Sequence, residues 1–337
     1  MSRRWQITRR AVFAVLAAFF VVSLVFAFVA ATSDPYTGQL ARSAAEESAE
    51  EDIPVKQTDA WERLVEYRQQ RNLDEPVGER YVDWLGDVVT LDLGTAFGTT
   101  RTGTMFGQSY SEGTPVTSLV MSAVSRTLSY LVPAIVFSVV VGISIGVYTA
   151  TRQHTLVDRL GTSVAHLGFS LPNFWLAEVV VLSGIGVGGL LSGAPGRTNG
   201  FLYTVVFPAA VLGTSLLAGQ LRYARAQSLE YIDAEFIKLV RAKGAGSRRV
   251  ARHLLRNAAV PLLSLFFADM LGIVVLNVFV IEYVFGIQGL GGLSLVAIQS
   301  RDMPVILGTT LVIVLVGVLG NFVQDIVSLV VDPRVAE

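Results

Sequence analysis

Residues 222–256 read RYARAQSLEYIDAEFIKLVRAKGAGSRRVARHLLR, with nine Lys or Arg against Glu230, Asp233 and Glu235, and they lie between two apolar blocks at 201–221 and 259–285. Charge concentrated between apolar runs of about 20 residues each is the pattern of a chain threaded through a bilayer. From 229 to 243 the residues Leu229, Ile232, Phe236 and Leu239 or Val240 recur at three- and four-residue intervals, which predicts a charged helix with one narrow apolar stripe. Gly244 and Gly246 end it. Ser247 is a natural N-cap for a second short helix, in which Arg248, Arg252 and Arg256 stack at i, i+4 and i+8 while Val250 and Leu254 share the other side. Two helices joined at a glycine form a basic knob, suited either to anionic headgroups or to a groove on a partner protein.

Composition agrees with a membrane-embedded chain. Hydrophobic residues make up 52% and charged residues 16%, against roughly 25% charged in soluble domains, so the apolar surplus must face lipid. Working outward from the basic stretch, apolar blocks stand at 11–31, 124–150, 160–191 and 305–331, and with the two flanking blocks they make six spans. The first follows Arg3, Arg4, Arg9 and Arg10 and exceeds the roughly 7–15 apolar residues of a signal peptide, so it is read as a retained span. Lys and Arg accumulate in cytoplasmic loops. The 222–258 loop is therefore cytoplasmic, and counting spans from it puts both termini and the 151–159 turn on the same side.

This fixes the expected organisation of an all-α integral membrane protein: residues 1–31 as cytoplasmic N-terminus and first helix, 32–119 as an extracytoplasmic insertion, 120–331 as five further transmembrane helices, and 332–337 as a cytoplasmic tail. The insertion begins with an acidic run, Glu46, Glu47, Glu50, Glu51 and Asp52, read as a solvated linker. After it, Thr58 or Asp59 caps a short helix with Trp61, Leu64, Val65 and Arg68 at helical spacing.

Particular residues narrow the function. Arg241-Ala242-Lys243-Gly244, Arg252-His253, Arg256-Asn257-Ala258 and Pro261 resemble the cytoplasmic coupling loop of permease subunits in the dipeptide and oligopeptide ABC importer family. The resemblance extends along the chain through Tyr81–Leu85, Leu91-Asp92-Leu93-Gly94, Arg126-Thr127-Leu128, Ser170-Leu171-Pro172-Asn173-Phe174-Trp175-Leu176, Ile281-Glu282-Tyr283-Val284-Phe285, Gly289-Leu290-Gly291, Arg301-Asp302 and Asp332-Pro333-Arg334. Lys238-Leu239-Val240 stands where the general importer motif has glutamate and two alanines, so that glutamate contact is not carried over. The resemblance implies a six-helix importer permease fold and a plasma-membrane location. It implies four kinds of partner: a second homologous permease, two cytoplasmic ATP-binding subunits, an extracytoplasmic substrate-binding protein, and lipid. Arg241, Ala242, Lys243, Gly244, Arg252, His253 and Arg256 would couple to the ATP-binding subunits. Asp92, Gly94, Gly289, Gly291, Arg301 and Asp302 form the expected docking surface for the binding protein.

Ionisable groups at membrane depth are costly unless paired or wet; Glu178, Asp269, Glu282 and Asp325 are such groups here. Asp269, Asn277 and Glu282 are expected to face the translocation path, with interhelical hydrogen bonding the competing role for Asp269 and a structural or gating role favoured for Glu282. No phosphate-cradling loop ending in Gly-Lys-Ser or Gly-Lys-Thr occurs, and His154, His166 and His253 share no metal-ligand spacing. The chain is therefore expected to be no enzyme and to bind no cofactor or metal, with ATP and Mg used by partner subunits. A proton- or sodium-coupled secondary carrier is the alternative, and it would leave the basic knob unexplained.

Overall fold

A computed structural model describes the backbone of residues 3–31, 35–70, 72–98, 110–182 and 200–331, and their side chains except at 3–4, 29, 35, 70, 256–274 and 328–331. Helices dominate: α1 (Arg3–Ala31), α2 (Pro35–Glu51), α3 (Asp59–Gln70), α4 (Val77–Thr90), α5 (Val116–Ala150), α6 (Leu156–Ser170), α7 (Asn173–Leu182), α8 (Phe207–Ile232), α9 (Glu235–Ala242), α10 (Ser247–Phe285), α11 (Leu290–Ser300) and α12 (Met303–Val331). Among the described residues, extended pairing is limited to a bridge between Thr95 and Pro115. Among the described residues, four helices are each long and apolar enough to cross a bilayer, Trp5–Phe28, Val116–Ala150, Leu202–Ile232 and Met303–Val327; two bent pairs, α6 with α7 and Val275–Phe285 with α11, raise the number to six if each pair is one span.

The chain divides into two compact units, Met1–Val15, Ala123–Gly292 and Val316–Glu337 in the first, Leu16–Ser122 and Leu293–Leu315 in the second. In the first unit α8 lies against α6, α7 and α10. Its core joins Tyr130, Ala134, Ala177, Leu212, Leu216, Val278, Ile281 and Phe285. Gly146 permits a close helix crossing: a Cβ there would stand 2.5 Å from the Leu221 carbonyl oxygen, and small residues at such crossings let helix backbones meet in a membrane. The apolar block at 160–191 is not one straight rod. It breaks at Leu171–Pro172, where α6 and α7 meet at 86°, because proline disfavours helical backbone in the residue before it.

The second unit holds the surprise of the fold. The acidic run read as a solvated linker is the end of α2, whose Leu40 and Ala44 are buried one turn apart. Leu40 packs with Leu64 and Tyr67 of α3 and with Tyr36, Trp61, Leu73 and Phe97, while Glu46, Glu50 and Glu51 are exposed and Glu47 is half-buried. Glu47 also accepts a hydrogen bond from the Ala60 amide at 3.0 Å, a carboxylate supplied to the start of α3 where free amides favour negative charge. Thr58 performs the expected capping, accepting from the Trp61 amide at 3.2 Å.

Candidate functional site

The basic stretch is built differently from its sequence expectation. α8 continues to Ile232 and the chain turns at Asp233, so α9 starts in a new phase. Ile237, not Phe236, points inward at 0% exposure, and it joins Val147, Ala224, Ile232, Val250 and Leu254 in one cluster. Phe236 and Leu239 are left exposed beside Arg241, Ala242, Lys243 and Gly244. The second helix is not short: it is α10, 39 residues long. The expected inward side of its first turns, Val250 and Leu254, is buried, and Arg248 and Arg252 are exposed; His253 is half-buried, and the side chain of Arg256 lies outside the described residues.

The turn between α9 and α10 has a defined hydrogen-bond pattern. The Ala245 amide donates to the Val240 carbonyl at 3.3 Å and the Gly244 amide to the Arg241 carbonyl at 2.9 Å. This is the paired closure of a Schellman C-cap, which requires a left-handed residue at the first position past the cap, the donor of the inner bond. Gly244 supplies it with φ of +77°. Open space surrounds the position of an added Cβ, so backbone conformation alone calls for glycine there.

Two buried carboxylates lie elsewhere in the first unit. Asp158 is 5% exposed and receives Arg225 through Nε at 2.8 Å and Nη2 at 3.1 Å. The His154 amide donates to the same carboxylate at 3.1 Å, and Thr155 caps α6. Arg225 had been counted only among the loop's basic charges; its partner is 67 residues away in sequence, and the Thr-then-Asp start of α6 was the one available signal. Glu282 has 0% exposure and, among the described residues, no cation partner. It accepts from Thr127 Oγ1 at 2.6 Å, Tyr130 OH at 3.0 Å and the Gly292 amide at 2.9 Å, with the Gly291 amide adding a fourth donor. Thr127 Oγ1 in turn accepts from the Leu290 amide at 2.8 Å. The start of α11 is thereby folded back onto α10 and α5.

Of the residues expected on the translocation path, Asn277 is half-buried and its Oδ1 accepts from Asn173 Nδ2 at 2.7 Å, while the same amide reaches Ser215 Oγ at 2.9 Å. Asn173 opens α7 at the break of the bent pair, so a polar cluster joins α7, α8 and α10 at that point. The Asp269 side chain lies outside the described residues. Asp325 pairs with Arg10 at 3.2 Å, and Glu178 is exposed.

The expected docking residues divide by burial. Asp92 and Arg301 are exposed and Gly94 is half-buried. Gly289 and Gly291 are buried, and a Cβ on Gly289 would fall 2.1 Å from Glu282 Oε1. Asp302 is 0% exposed; in the second unit it accepts from the Phe97 amide at 2.8 Å and caps α12 through the Val305 amide at 3.3 Å. Burial pushes its carboxyl above the ordinary carboxylate range, opposed by those amides. Burial also raises the Tyr110 phenol, and the Asp302 charge adds to the effect.

Comparison with known proteins places this architecture. Residues 142–337 match the family described as binding-protein-dependent transport system inner membrane component. The chain is 30% identical over 293 residues to the oligopeptide transport system permease protein AppB of Bacillus subtilis (strain 168), covering 84% of this chain and 87% of that one. It is 31% identical over 280 residues to the oligopeptide transport system permease protein OppB of Mycobacterium tuberculosis (strain ATCC 25618 / H37Rv), covering 78% and 82%. It is 28% identical over 264 residues to the dipeptide transport system permease protein DppB of Lactococcus lactis subsp. cremoris (strain MG1363), covering 78% and 82%. The chain belongs to this family: it is a multi-pass membrane permease subunit of an ABC transporter, working within a larger transporter complex.

Proposed function

We propose that this chain pairs with a second, homologous permease subunit to enclose a pathway for peptides, driven by two ATP-binding subunits and fed by an extracytoplasmic binding protein, with both termini of the chain cytoplasmic. The peptide class is supported by the names its relatives carry, oligopeptide and dipeptide transport system permeases. The observation that carries the mechanism is the construction of the basic loop. Ile237, Val250 and Leu254 anchor it in the bundle while Phe236, Leu239, Arg241 and Lys243 stay exposed, so a partner can grip the outer side without prising it from the inner one. α10 then runs without a break from Ser247 to Phe285, roughly 58 Å at 1.5 Å per residue. A push at the loop is thus delivered along one rod to Asn277 and Glu282. In alternating access, closure of the ATP-binding subunits moves the loop, opens the pathway outward for delivered peptide, and hydrolysis resets it.

Uptake of labelled peptide into proteoliposomes holding the co-purified complex and its binding protein tests the reading. Uptake is expected to require ATP. Uptake that persists without ATP and follows an imposed proton or sodium gradient would overturn it in favour of a secondary carrier.

A further inference from the structure

The helix α4 (Val77–Thr90) has a function that neither the bundle nor the basic loop explains. At 100° per residue Val77, Tyr81, Val82, Trp84, Leu85, Val88 and Val89 fall on one side, and Glu79, Arg80, Asp83, Asp87 and Thr90 on the other. Among the described residues, protein covers part of the apolar side. Tyr81 OH shares a 2.6 Å hydrogen bond with Ser23 Oγ, and the Phe26 ring packs at 5.2 Å on Tyr81 and 5.1 Å on Trp84. Val82 and Val89, seven residues apart and therefore on one stripe, remain 65% and 76% exposed.

On both sides α4 is tied to helices long and apolar enough to cross a bilayer. Ser23 and Phe26 belong to the last turns of the apolar span Trp5–Phe28, whose outward Phe20, Leu24 and Phe28 are 65%, 54% and 71% exposed and must meet hydrocarbon. A helix fastened there by a hydrogen bond and two rings sits at the membrane boundary, where Tyr and Trp concentrate. Past its other end, the Val116 amide donates to the Gly94 carbonyl at 2.9 Å and Thr117 Oγ1 to the Leu91 carbonyl at 2.6 Å, which ties α4 to the first residues of the span Val116–Ala150. The polar row carries Glu79, Asp83 and Asp87 against Arg80 alone, so apolar burial, not attraction to anionic headgroups, has to hold it.

We infer that α4 is an interfacial helix lying along the bilayer surface, its Val82–Val89 stripe sunk into the boundary between phospholipid headgroups and acyl chains and its acidic row in water. Such a helix sets the height of the Leu91–Gly94 turn above the membrane. The inference stands apart from the peptide-import reading, because it concerns lipid contact and no transport step enters it.

The sequence contains no cysteine, so single labels need no background removal. Val82→Cys, Val89→Cys, Asp83→Cys and Asp87→Cys, each spin-labelled in the full-length chain co-purified with its accompanying subunits and placed in phosphatidylcholine nanodiscs, are compared for collision with oxygen and with a water-soluble nickel chelate. All four sites are exposed, so the labels leave the packed side intact. Labels at 82 and 89 are expected to favour oxygen several-fold, with the reverse at 83 and 87. Equal nickel access at all four sites would show α4 standing in water, and shielding of 82 and 89 from both reagents would show protein covering the stripe; either result overturns the inference.

Discussion

Asp158 and Glu282 are both buried carboxylates of the same unit, yet they are stabilised in opposite ways. Asp158 faces a guanidinium that grips it with two nitrogens. Among the described residues Glu282 meets dipoles alone, two hydroxyls and two amides at the start of α11, where a helix N-terminus favours negative charge. The first is a two-body clasp between α6 and α8, which fails when either member is lost. The second is a distributed cradle that holds a turn of backbone in place, and it depends on Gly289 leaving room for the carboxylate.

The largest expected effect tests the clasp. Asp158→Ala strands Arg225 and should cost about 3 kcal/mol, read as a lowered thermal midpoint of the detergent-solubilised chain. Replacing both partners, Asp158→Ala with Arg225→Met, should recover most of that loss, whereas two additive losses would show that the pair is not coupled. Glu282→Ala should cost about 2 kcal/mol, because Thr127, Tyr130 and the α11 amides lose a shared acceptor. Glu282→Gln, which keeps an acceptor oxygen, should cost clearly less. Equal losses would mean that charge, and not the hydrogen-bond set, is what the cradle needs.

A smaller effect belongs to the loop. Gly244→Ala should cost about 1 kcal/mol from the left-handed backbone alone, and Gly244→Asn less, since asparagine tolerates that conformation better. The smallest concerns Asp302. Its raised carboxyl holds a proton to higher pH in the folded chain than in the unfolded one, so its contribution is fully present below the ordinary carboxylate value and is lost as pH rises through the raised one. Midpoints measured against pH should therefore fall more steeply over that window in the native chain than in Asp302→Asn. Parallel curves would remove the assignment.

The helices were legible because membrane spans are written in long apolar runs, and the break between α9 and α10 because Gly244 and Gly246 interrupt a periodic pattern. Val250 and Leu254 were read correctly as the inner side of α10, since one unbroken helix keeps its phase. Phe236 was read on the wrong side because Asp233 ends α8 and restarts the count, which brings Ile237 inward. The α2 helix was missed for a different reason. Its acidic side was conspicuous, while the buried side is only Leu40 and Ala44 closing on α3. The Asp158–Arg225 pair has no local signal beyond the Thr-then-Asp start of α6, and the hydroxyls that meet Glu282 come from Thr127 and Tyr130, 155 and 152 residues away.

The coupling role of the basic loop is tested most directly by purifying the tagged chain from native membranes in gentle detergent, alongside a variant carrying Arg241→Ala, Lys243→Ala and Gly244→Ala. The native chain is expected to bring down an ATP-binding subunit, and the variant to lose most of it while retaining its partner permease. Equal recovery of the ATP-binding subunit with both chains would contradict the account and place the coupling contact elsewhere.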